Sequence, residues 1–194
     1  KELQDMRGFE WEHYSELLVL ARNLGNVSVH AAFPERTGAV RTMVKEGAEK
    51  AIPQAVSEGV LASEDDFIPG SEDHYNLFES LITDRDLTGD DPPTDRYRHI
   101  FPAQILKDCV FSRIATDRIV SGDLVLCIAG SGHLDYGFGI PERVEAMLKK
   151  KDNSVETCTI SCALDDEKKF GQIGDRNVAD LLLVFDVAES ETNE

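Results

Sequence analysis

The chain has 194 residues, 41% of them hydrophobic, enough to bury one sizeable core and close to the usual span of one domain. Its formal net charge of −17 repels phosphate backbones and anionic lipid heads at long range, which argues against nucleic acid and direct membrane binding. No apolar run of about 18 residues is present, and the charged stretch 1–7 lacks the pattern of a signal peptide, so the sequence reads as one soluble domain, 1–194, without membrane insertion.

The first helical pattern runs over 11–24, where Tyr14, Leu17, Leu18 and Ala21 recur at helical spacing and Gly25 is a stop. Residues 27–33, VSVHAAF, are β-branched and end at Pro34, which predicts a buried strand delivering a loop. The next helix opens near Thr37, carries Val40, Met43, Val44 and Ala48 on one side, and is expected to break near Pro53. Over 63–95 the composition turns acidic, with glycine and Pro92-Pro93. Tyr75, Leu77, Phe78, Leu81 and Ile82 there predict a short helix inside a long excursion or insertion.

Residues 103–120 place Leu106, Cys109, Val110 and Ile114 along one helical stripe. The nearly continuous apolar run LVLCIA, 124–129, is what a strand covered by helices on both faces looks like. A loop and a helix over about 141–151 follow, with Pro141 suited to a first helical turn, and 157–163 and 181–187 read as two more strands. Alternating strands and helices predict an α/β fold, a mostly parallel β-sheet with helices on both faces.

The four cysteines, Cys109, Cys127, Cys158 and Cys162, lie inside apolar stretches and read as buried thiols in a reducing interior compartment. On a strand, Cys158 and Cys162 would share a face about 13 Å apart, too far to bridge or to share a metal. His30, inside an apolar segment, reads as a core or strand-end residue, whereas His13, His74 and His99 sit among charges and read as solvated. The acidic stretch 64–91 lacks the spacing of a calcium loop and reads as a solvated surface.

The segment GSGHLDYGFGIP, 130–141, carries the chemistry. In open parallel sheets, sites gather where strand ends, loops and helix N-termini converge. Four glycines among residues 130–139, Gly130 and Gly132 first among them, let a ligand approach the main chain closely. His133, Asp135 and Tyr136 stand between them with Leu134, Phe138 and Ile140 as apolar partners. An apolar platform with one or two ligating heads suits a flat macrocycle whose iron takes an imidazole or a phenolate. His133 reads either as a metal or haem ligand or as a loop histidine bonded to nearby carbonyls, and Tyr136 either as a phenolate ligand or as packing. Asp135 reads as a solvated turn residue. Gln104 and Asp108, one helical turn apart, share a face and can line the same cleft, or cap and face solvent.

The run IAGSGHLDYGFGIPERV resembles the signature of the ChaN-like haem-binding uptake family of the Tiki superfamily, whose G-x-x-H element is supplied here by Gly130 and His133. YSELLVLARNLGNVSVHAAFPER is similar to the family's helix, strand and proline-arginine turn, FPAQILKDCVFSRIATDRI to its long helix with Gln104 and Asp108, and ADLLLVFD to its late strand. The resemblance implies an EreA/ChaN-like α/β domain that binds haem or a related tetrapyrrole through His133, Tyr136, Gly130, Gly132, Gln104 and Asp108, with His133 and Tyr136 as axial ligands to the iron. It further implies a carrier or sensor rather than a catalyst, in a homodimer or a larger complex, and is compatible with a chloroplast setting.

Two departures are plain. The family opens with a strand ending in a Gly-Glu-x-His-Asp motif that this sequence lacks, so the domain is expected to be incomplete at its N-terminus, and Pro34 is followed by Glu35 before Arg36. Two other readings follow: a structural or interaction module of a larger assembly that has lost the ligand site, and a metal-dependent hydrolase of the wider superfamily, which needs partners from the absent motif. A nucleotide-phosphate loop at Gly130-x-Gly132 is not expected, because the next glycine, Gly137, comes five residues on.

Overall fold

A computed structural model describes residues 14–87, 91–119, 123–152, 155–164 and 172–185. The chain divides into two compact units, one ending at Ala31 and one beginning at Ala32. In the first, α1 (Ser15–Leu24) ends on Gly25 in the left-handed region, as the stop signal requires. Its apolar residues Leu17, Leu18 and Leu20 are exposed, and so are Val27, Val29 and His30 beyond it. The strand expected over 27–33 does not form. A β-branched run becomes a strand only where another strand accepts its backbone hydrogen bonds.

The second unit is helix-rich. Helix α2 (Gly38–Glu46) starts after Thr37 and stops at Gly47, whose φ of 86° ends it; α3 (Ala48–Ser57) follows and carries Pro53 in its interior. The break thus falls at the glycine and not at the proline. Inside the acidic stretch, α4 (Glu72–Thr83) is capped by Ser71, whose hydroxyl accepts from the His74 amide at 3.1 Å. Helix α5 (Phe101–Arg118) begins with Pro102 in its first turn and is buried on most sides, from Ile105 and Leu106 to Asp108 and Ser112. It is the central helix, packed against α2 and against α6 (Ile140–Lys150).

Strands β1 (Ile160–Leu164) and β2 (Leu181–Phe185) pair in parallel, Ile160 opposite Leu181 and Leu164 opposite Phe185. The fold is therefore mixed α/β with a small parallel sheet, as the strand-helix alternation predicts. Residues 124–129 depart from expectation: they join no ladder, and Leu124 is 93% and Leu126 73% exposed while Cys127 and Ala129 pack against Phe111 and Ile140. One face of this extended segment is covered, not both. Residues 186 and 187 of the last expected strand, and His13, lie outside the described residues.

Three apolar clusters hold the second unit together. The largest joins α2, α3, α4 and α5 through Met43, Ala51, Tyr75 and Leu106, so the acidic stretch contributes a wall of the core. A second gathers Phe111, Ile140, Val144 and Leu148 with Phe33 and Leu134. The third sets Leu77, Tyr136 and Phe138 together. Each fully buried side chain of this size contributes about 1.5–3 kcal/mol.

Candidate functional site

The glycine-rich segment folds as two tight turns, Ser131–His133 and Asp135–Gly137, before α6 begins. Gly139 fixes how closely these turns sit on α5. Its φ is 70°, and a Cβ there would lie 2.5 Å from the His133 carbonyl oxygen and 3.2 Å from Asp108 Oδ2. A side chain at this position would push the loop off the helix. Gly132 faces Leu81 closely, and Gly130 borders open space.

That approach brings His133 onto α5. Its Nδ1 lies 2.5 Å from Oδ1 of Asp108, a carboxylate that is fully buried. With Nδ1 donating to Asp108, Nε2 carries the lone pair, so the Gln104 amide nitrogen, 2.9 Å from Nδ1 and 3.1 Å from Nε2, can donate only to Nε2. Lys107 donates to Gln104 Oε1 at 3.4 Å, so the four side chains form one chain of contacts from the surface to a buried acid. Phe33 packs its ring on the imidazole, centroids 4.6 Å apart, and also touches Phe111. The imidazole keeps 20% of its side-chain surface exposed, and Asp108 Oδ2 is buried with no partner among the described residues.

Tyr136 lies elsewhere. It is 4% exposed, inside the cluster with Leu77 and Phe138, and burial together with the neighbouring Asp135 charge pushes its hydroxyl above the usual phenol range. Its backbone occupies the left-handed region, φ 59°, where bulky residues are rare. The amide donation to the Val178 carbonyl at 2.7 Å and the Arg176 donation to its own carbonyl at 3.1 Å clamp it there. Asp135 is not a solvated turn residue, since Ser161 of β1 donates to it at 2.9 Å. The structure thus joins His133, Asp108 and Gln104, with Gly130 and Gly132 in the same turn, and leaves Tyr136 in separate packing.

A second polar centre lies behind the loop, formed by Arg143, Glu142 and His74. Arg143 is fully buried and donates to the carbonyls of Gly139 at 2.7 Å and Ile68 at 2.9 Å, and to Glu142 at 2.7 Å. His74, expected in solvent, is also fully buried, stacked on Phe138 at 5.4 Å and edge-on to Phe101, with Nδ1 3.6 Å from Glu142. Burial raises the Glu142 carboxyl, but His74 and Arg143 outweigh it and hold the group below its ordinary range. Arg143 lies in the quoted signature, but nothing local marks a helical arginine as buried. His99 is exposed, as expected.

The cysteines divide. All four are free; Cys109 is buried and Cys127 half-buried, whereas Cys158 and Cys162 are exposed, against the reading of four buried thiols. Their stretch gains cover on one side only where β1 pairs with β2. Among the described residues no group of three or more His, Cys, Asp or Glu could hold a metal ion, and no helix is long and apolar enough to cross a membrane. A cavity of about 240 Å³ opens between residues 34–40 and Leu106 and Val110 of α5. It is smaller than the roughly 300–1,000 Å³ of small-molecule pockets.

Residues 1–144 match the model of one protein family, described as haem-binding uptake, Tiki superfamily, ChaN. The resemblance carried by the glycine-rich segment is thereby borne out. No curated protein and no solved structure matches the chain.

Proposed function

The chain belongs to the ChaN family of haem-binding uptake proteins in the Tiki superfamily, and on that premise we propose that it binds haem or a related tetrapyrrole as a carrier or sensor rather than a catalyst. The contact between His133 and Asp108 carries this reading. A buried carboxylate that takes the Nδ1 proton fixes the tautomer and orientation of an imidazole and makes its Nε2 a better donor to a metal. The partly exposed ring flanked by Phe33 and the open space at Gly130 fit one axial ligand and the edge of a flat apolar group.

When bound, the ferric iron would act as the Lewis acid that takes the imidazole lone pair. His133 would supply that pair and Asp108 would hold the ring, while in the structure the Gln104 amide contacts Nε2. Tyr136 enters the proposal as the packed anchor of the loop. A phenolate is disfavoured there, because burial raises the energy of the charged form.

Adding ferric haem to the purified protein tests the proposal through its absorption spectrum. Binding should produce an imidazole-ligated spectrum that His133→Ala removes and Tyr136→Phe leaves in place. An unchanged haem spectrum with the native protein, or the same spectrum in His133→Ala, would reject it.

A further inference from the structure

Tyr136 holds a strained backbone in the middle of the turn that carries His133. Its φ of 59° lies in the left-handed region, where a bulky residue persists only if its surroundings over-determine it. Those surroundings come from far along the chain. Val178 accepts from the Tyr136 amide at 2.7 Å, Arg176 donates to the Tyr136 carbonyl at 3.1 Å, and Ser161 donates to the adjoining Asp135 at 2.9 Å.

Arg176 goes further and reaches the other end of the turn. Its guanidinium lies over the Phe138 ring, 4.4 Å from the centroid, and Nη2 stands 3.8 Å from Glu142 in the first turn of α6. A Cβ on Gly137 would lie 3.5 Å from Nη1, so the group rests against the main chain between them. Glu142 passes the hold inward. Arg143 donates to it at 2.7 Å and to the Gly139 carbonyl at 2.7 Å, and Gly139 is the residue pressed against the His133 carbonyl. One exposed arginine, outside the 1–144 stretch that the family model matches, therefore ties residues 136, 138 and 142 together.

We propose that Arg176 is a positioning residue for the His133 site: by fastening Tyr136 and Glu142 to one guanidinium, it keeps the turn seated on α5 and the imidazole turned to Asp108. Its part in ligand binding rests on the haem-binding reading. Without the arginine, fewer contacts oppose the cost of the left-handed backbone, and relaxation of Tyr136 turns the chain three residues after the imidazole.

The test compares Arg176→Met, which keeps the apolar stem over Phe138, with Arg98→Met. Arg98 is the control because it also lies over a ring, that of Tyr75, and pairs with acids, Glu72 and Asp95, but touches no residue of the turn. Two measurements are made: the proton NMR signal of His133 Nδ1–H in the ligand-free protein, assigned by its loss in His133→Ala, and titration with ferric haem. Arg176→Met should lose the signal and weaken haem binding by about tenfold, at the low end for groups that orient a metal-binding histidine. Arg98→Met should keep both, and Arg176→Lys, which retains the charge and a donor, should recover both. An Arg176→Met protein that keeps the signal, one that loses it no further than Arg98→Met does, or a loss that lysine does not recover overturns the proposal. Native protein that shows the signal but binds no haem overturns the haem-binding reading and Arg176's part in it, while loss of the signal in Arg176→Met still upholds its hold on the imidazole.

Discussion

Asp108 and His133, 25 residues apart in sequence, meet at 2.5 Å between the buried face of α5 and the glycine-rich turn. The carboxylate accepts a hydrogen bond from Nδ1, and its other oxygen has no partner among the described residues, so the imidazole is its principal compensation for burial. Asp108→Asn replaces a charged acceptor by an amide that competes for the ring. Haem affinity should fall by about 10–100-fold, the usual cost of losing the group that orients a metal-binding histidine. A titration in which the asparagine variant binds like the native protein would remove Asp108 from the site.

Gly139 offers a test of the loop's closeness to α5. Alanine there must adopt a φ of 70° and place its Cβ 2.5 Å from the His133 carbonyl oxygen. The strain alone costs on the order of 1–3 kcal/mol, and relief requires the turn to move away from Asp108. Gly139→Ala should therefore lower the denaturation midpoint and weaken haem binding together, whereas Gly130→Ala, facing open space, should change stability by less than about 1 kcal/mol. Equal stability of the two variants in urea melts would count against the close approach.

The acid limb of stability should report on Glu79. This residue is 1% exposed; Arg85 donates to it at 2.8 Å and Thr94 Oγ1 at 3.0 Å, which staples the end of α4 to the segment before α5. Burial raises the carboxyl, but hydrogen bonds from Arg85 and Thr94 outweigh it and hold the group below the usual carboxylate range. A depressed folded-state value means that the stabilisation is present above about pH 4.5 and is lost as pH falls through the folded-state value. Glu79→Gln should cost roughly 3 kcal/mol at neutral pH, because Arg85 is left uncompensated, and should flatten the stability profile below about pH 4.5. Urea melts from neutral pH down to about pH 3 would check both, and a variant profile parallel to the native one would sink the assignment.

Thiol titration should resolve the cysteines by exposure. Cys158 and Cys162 are exposed and should react first with a disulfide reagent in the native state. Cys127, half-buried and raised by burial, should react more slowly. Cys109 is fully buried; burial raises its thiol, and it should react only on unfolding. Early modification of Cys109 in the native protein would contradict the packing of α5.

Much of the helical framework can be read from the chain alone. The apolar stripes of α5 and α6, the stop at Gly25, the proline in the first turn of α5 and the glycine-rich turn are local signals, because helix geometry repeats within four residues and glycine marks positive φ wherever it occurs. Gln104 and Asp108 were also legible as a pair on one face. The break expected near Pro53 falls at Gly47 instead, whose φ of 86° ends α2, while Pro53 is carried inside α3.

Periodicity records which side chains are apolar, not what covers them. The runs at 27–33 and 124–129 have strand composition, yet a ladder needs hydrogen-bonding partners from distant parts of the chain, and the described residues supply them only to β1 and β2. His74 reads as solvated because charge surrounds it in sequence, but in space the rings of Phe138 and Phe101 enclose it. Sequence alone specified the loop, its glycines and the family. The meeting of His133 with Asp108 and the withdrawal of Tyr136 into its own cluster came only with folding, because burial and electrostatic pairing are set by residues many positions away along the chain.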